Sequence, residues 1–99
     1  MKHPEGRAKY QQLWDITAEV IRSWDPYDLI GGGAPRDEFD KEIALVVAQI
    51  RDMHSAADAT RAISRVFSSS IDEASFTEQE CSVVGEQLYV ALKARELIL

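Results

Sequence analysis

Apolar residues recur along this chain with the period of an α-helix, and no stretch shows the sustained two-residue alternation of a half-buried strand. Tyr10, Leu13, Trp14, Thr17, Val20, Ile21 and Trp24 fall at i, i+3, i+4, i+7, i+10, i+11 and i+14. That single stripe predicts a first helix over about residues 7–23. Asp25-Pro26 ends it, because the residue before a proline avoids the α region. A loop follows over about residues 25–34, where Pro26 and Gly31-Gly32-Gly33 exclude regular helix. Tyr27, Leu29 and Ile30 are apolar enough to tuck back onto the core.

Three more helices are predicted. The second spans about residues 35–53. Pro35 is suited to the first position, Asp37, Glu38 and Asp40 to the positive end of the dipole, and Phe39, Ile43, Val46, Val47, Ile50 and His54 form its stripe. The third spans about residues 56–69, with Ser55 as N-cap, Asp58 in the capping-box position, and Ala59, Ile63, Val66 and Phe67 facing inward. The fourth opens on the capping box Thr77-Glu78-Gln79-Glu80, with Phe76 and Cys81 as a hydrophobic staple. Its stripe is Cys81, Val84, Gly85, Leu88, Ala91, Leu92 and Arg95. Gly85 on that face would let another helix approach closely, at about 1 kcal/mol of helix propensity. The fold class expected is all-α: a compact bundle of about four amphipathic helices in one domain, 1–99, with residues 1–6 frayed.

Ninety-nine residues suffice for one core, since a chain of this size buries roughly 60–65% of its unfolded surface. The net charge of −6 argues against nucleic acid and against an anionic membrane, both of which are bound through Lys and Arg; it permits a basic protein partner. A single cysteine, Cys81, can form no internal disulfide and no zinc cluster. Residues 1–9 are polar, without the apolar core of a signal peptide, and the longest apolar run, residues 43–48, is far short of a membrane span. Together these lead to the expectation of a cytoplasmic protein with no cofactor.

Chemistry concentrates in residues 24–42. Asp25, Asp28, Asp37, Glu38, Asp40 and Glu42 stand against only Arg36 and Lys41. On a helix Glu38 and Glu42, and likewise Asp37 and Asp40, would share a face, so the segment could hold a hard cation. It lacks the EF-hand pattern, and Lys41 is spaced to pair locally with Asp37 or Glu38. The acids read more simply as helix caps, or as a partner-binding surface with Trp24 and Tyr27 as anchors. The glycine run lacks the preceding strand and following G-K-[ST] of a phosphate loop. Neither His3 nor His54 has a ligand-spaced partner, and Cys81 reads as a small buried hydrophobe. A second acidic region, Asp72, Glu73, Glu78, Glu80 and Glu86, lies in a stretch without Lys or Arg.

Asp25-Pro26-Tyr27-Asp28-Leu29, Asp37-Glu38-Phe39-Asp40-Lys41-Glu42 and the later Val66-Phe67 resemble a family of small uncharacterised bacterial helical proteins, a domain of unknown function with D-P-x-x-L and D-E-[FY]-D-x-E motifs. The resemblance implies a small helical fold of about this length and assigns no activity and no catalytic residues. The preferred functional expectation is a non-enzymatic interaction protein that binds a basic partner through Trp24, Asp25, Tyr27, Asp28, Asp37, Glu38, Asp40 and Glu42. Its sharpest form is an immunity- or antitoxin-like role, by analogy of size and charge. The alternatives are a metal-binding protein or metal-dependent enzyme using the Asp37–Glu42 carboxylates, and a self-associating module that forms a homo-oligomer.

Overall fold

The computed structural model describes residues 4–72 and 74–98, and side chains from Arg7 onward. Among these residues all regular structure is helical. The α-helices are α1 (Pro4–Trp24), α2 (Asp40–Val47), α3 (Ala56–Ser70) and α4 (Ser82–Ala94), with short 3-10 turns at Pro26–Asp28 and Ile50–Asp52. Each α-helix packs on its successor and α4 returns to α1, so the four close into a ring. Ile21, Phe39, Ile43, Ile63, Phe67 and Leu88 are fully buried at its centre. No described helix is long and apolar enough to cross a membrane.

The described part of α1 begins at Pro4; residues 1–3 of the segment expected to fray lie outside the described residues. Tyr10, placed on the inward stripe by periodicity, is 53% exposed. With 21 residues in α1 against 8 in α2 and 13 in α4, the first turns of α1 have less helix opposite them. Burial falls instead on Ile16, Thr17, Ala18 and Ile21.

The second helix is shorter than its stripe suggests. Its predicted first turn is a pair of tight turns, with Glu38 N–H donating to the Pro35 carbonyl (3.0 Å) and Asp40 N–H to that of Asp37 (3.1 Å). At the other end the bonding tightens again, with Met53 N–H donating to the Ile50 carbonyl at 2.9 Å. This changes the phase of the side chains. An α-helical period carries His54 inward four residues after Ile50, whereas three residues per turn carry Met53 there. Met53 is accordingly buried, and His54 is exposed.

The third helix begins as its cap predicts. Ser55 Oγ accepts the Asp58 N–H at 3.2 Å, and Asp58 reaches back to the His54 N–H at 2.8 Å, one residue earlier than in the usual capping box. Ahead of α4 the Thr77 hydroxyl accepts the Glu80 N–H at 3.2 Å, but this closes a turn rather than capping the helix, whose N-cap is Cys81; Phe76 and Cys81 are both buried. Regular α-helix starts only at Ser82. The Phe76 carbonyl accepts from two hydroxyls of α3, Ser64 and Ser68, which tie the α3–α4 connection to the bundle. Arg95 falls just past the end of α4 and is exposed.

Burial, with the Glu80 carboxylate adding to it, pushes the Cys81 thiol up to about 11. Only the thiolate is a good nucleophile. The folded protein is therefore expected to resist a thiol-reactive disulfide reagent at pH 7.5 and to react fully in denaturant. Fast labelling of the native protein would show that Cys81 is open to solvent.

Candidate functional site: the loop after the first helix

The loop between α1 and α2 is built by one carboxylate. Asp25 accepts the Ile30 N–H on Oδ1 and the Gly31 N–H on Oδ2, each at 2.9 Å. The Gly32 N–H goes to the Asp28 carbonyl (2.8 Å) and the Gly33 N–H to that of Ile30 (3.1 Å). The amides that a phosphate cradle would present are thus satisfied from within. Gly32 is required because a Cβ there would sit 2.9 Å from the Asp28 carbonyl oxygen, and Gly33 because its φ is +117°.

Those two amide donors hold the Asp25 carboxyl below its ordinary value of 3.8. A depressed folded-state value means that Asp25 contributes stability in full above the unfolded value, and that the contribution is lost as pH falls through the folded one. Asp25 is therefore expected to titrate below 3.8 by NMR, with the Ile30 and Gly31 amide shifts following the same transition. An ordinary titration with unmoved amide shifts would remove the cap.

Three non-glycine residues of this loop take the left-handed conformation: Asp25 (φ 45°), Tyr27 (φ 63°) and Asp28 (φ 53°). Aspartate tolerates this region; a tyrosine there is uncommon and carries strain on the order of 1–3 kcal/mol. The surroundings that impose it are visible. Pro26 is buried, the Tyr27 ring stands edge-on to Phe76 (centroids 5.6 Å apart), and the Tyr27 hydroxyl donates to Asp72 Oδ2 at 3.0 Å. Asp72 also accepts from the Ser75 hydroxyl and the Ala74 N–H, and these bonds, the Ser75 hydroxyl first, hold its carboxyl below the ordinary range. The loop is in this way latched to the α3–α4 connection. Asp72, the first acid of the second acidic region, thereby touches the first region.

The sequence-predicted site residues separate into two groups. Trp24 is half-buried, edge-on to Phe67 (5.0 Å) and Phe76 (5.8 Å), and serves the core more than the surface. Asp25 is engaged by the loop amides. Asp40 pairs with Arg22 across α1 and α2 at 2.8 Å. The local pairs expected of Lys41 do not form: among the described residues the ion pairs are Arg22–Asp40 and Asp58–Arg61. Glu42 is 8% exposed on the inward side of α2, so it does not share an open face with Glu38. Tyr27 (54% exposed), Asp28, Asp37 and Glu38 remain at the surface. Among the described residues no three His, Cys, Asp or Glu side chains converge as metal ligands would. Phe76 and Asp72, which position Tyr27, escaped sequence reasoning because they lie far along the chain from it; the staple at Phe76 was the one local signal.

Comparison with curated proteins and with solved structures yields no match. The model of one family, described as a domain of unknown function (DUF1871), matches residues 16–96, from the middle of α1 to just beyond α4. The chain belongs to that family.

Proposed function

We propose that this protein is a non-enzymatic interaction module of the cytoplasm that binds a basic protein partner through the loop after α1. The observation that carries this reading is Tyr27: a large ring left 54% exposed, fixed in a left-handed backbone and flanked by Asp25 and Asp28. A rigid aromatic loses little freedom on binding and is the kind of residue that anchors interfaces. Asp28, Asp37 and Glu38 are the exposed carboxylates of the segment, and acids attract a basic surface and set its orientation. An immunity- or antitoxin-like role, neutralising a basic protein by covering it, is the most specific form of the proposal.

The test is capture from lysate of the native host by tagged wild type, Tyr27→Ser, Tyr27→Phe and the pair Asp37→Asn/Glu38→Gln. Circular dichroism confirms that each variant folds. A basic protein should be captured by wild type and by Tyr27→Phe, released by salt, and lost with Tyr27→Ser and with the double variant. Capture that survives all the substitutions would place the binding surface elsewhere. Capture of nothing would end the proposal.

A further inference from the structure

Helix α4 has two apolar faces and the bundle uses one. Cys81, Val84, Leu88 and Leu92 are buried against α1 and α3. On the opposite side Val83 (68% exposed), Gln87, Val90 (57% exposed) and Ala94 form a second stripe at i, i+4, i+7 and i+11. That is the spacing of a helix–helix seam. The stripe borders a groove that also includes Glu86 and Ala91, and past Ala91 and Ala94 the surface continues into the crevice between α1 and α4, with Ile16 and Val20 along it.

We infer that this face pairs with the same face of a second copy of the chain, the two α4 helices running antiparallel about a two-fold axis between Gln87 and Val90. The charges select that occupant. Glu86 and Lys93 lie seven residues apart, both exposed, each immediately before a stripe residue. In an antiparallel seam these equivalent flanking positions face each other. Val83 then meets the partner copy's Ala94, Gln87 meets Val90, and Glu86 of each copy meets Lys93 of the other, twice by symmetry. On the other flank Ala91 is small enough for close approach. The helix is about 20 Å long at 1.5 Å per residue, so one helix pair covers less than the roughly 1,600 Å² of a standard interface. The dimer is accordingly of the weak, concentration-dependent class. This face is separate from the Tyr27 loop, and the inference stands or falls independently of the proposed partner.

Sedimentation equilibrium from about 10 µM to about 1 mM, the range in which a small, weak interface is expected to associate, tests it. Wild type should pass from monomer to dimer within that range, and Val90→Glu, an exposed substitution that leaves the helical circular dichroism unchanged, should stay monomeric. Glu86→Lys and Lys93→Glu each set like charges against each other in their own dimers and should each weaken association at least tenfold. An equimolar mixture of the two restores opposite charges in both pairs and should form the heterodimer with wild-type affinity. A wild type that is monomeric at the highest concentration would overturn the inference, leaving the face to a different protein. A dimer indifferent to Val90→Glu and to both charge reversals would equally overturn it.

Discussion

Phe67→Ala is expected to lower the unfolding free energy by about 4 kcal/mol. Phe67 is fully buried and is the hub of the aromatic cluster: its ring lies 5.0 Å from Trp24, 5.4 Å from Phe76 and 6.0 Å from Phe39. Truncating a buried phenylalanine removes its transfer free energy and leaves a cavity that the neighbours fill only in part, together about 3–5 kcal/mol. Edge-to-face ring contacts add roughly 0.5–1.5 kcal/mol per pair beyond area burial. A domain of this size has only about 5–15 kcal/mol of total stability. The melting temperature should therefore fall by at least about 15 °C, at roughly 4–8 °C per kcal/mol. The site also couples core to surface, since Tyr27 and Trp24 both lean on Phe76, which leans on Phe67. Urea unfolding followed by tryptophan fluorescence gives the number. A loss below about 1.5 kcal/mol, where conservative core swaps fall, would mean that the cluster is not the centre of the fold.

Gly85→Ala should destabilise although alanine is the better helix former. Substituting alanine for glycine within a helix is worth about 1 kcal/mol in propensity. Here the added methyl would lie 2.6 Å from Thr60 Cα and 2.8 Å from its Cβ, well inside van der Waals distance. The backbones of α3 and α4 must separate, and overpacking of this kind costs about 1–3 kcal/mol, occasionally more. We expect a net loss of about 2 kcal/mol, and a larger one for Gly85→Val. Thr60→Ala in the Gly85→Ala background relieves the clash with the hydroxyl but not the one with the Thr60 backbone, so it should recover only part of the loss. A stabilised Gly85→Ala protein, measured in the same urea unfolding, would show that α3 and α4 do not approach so closely.

The inward face of α3, Ala59, Ile63, Val66 and Phe67, and that of α4, Cys81, Val84, Gly85, Leu88 and Leu92, are both read directly from sequence period, as is the Ser55 cap. These are local properties. A residue's place on a regular helix follows from its number, and a cap is satisfied within the first turn. Where the backbone leaves the α period the same arithmetic fails, which is why Met53 replaces His54 in the core.

The candidate site was half legible for a related reason. Composition alone singled out residues 24–42, and with them the exposed acids Asp28, Asp37 and Glu38 and the exposed Tyr27. It could not distribute the acids among their duties. Asp40 meets Arg22, 18 residues away, and Tyr27 meets Asp72, 45 residues away. Asp25 is committed only once the loop has closed. The second apolar stripe of α4 was present in the spacing of Val83 and Val90, but period alone does not say which of two apolar faces the bundle takes up. The sequence by itself determined that this protein is an all-helical domain, where its helices centre and which capping residue starts the third, because those depend on neighbours within a turn or two. Only the tertiary structure decided which carboxylates the fold takes up, which aromatics stay outside and which face of α4 is left bare, because each depends on groups that the chain brings together only on folding.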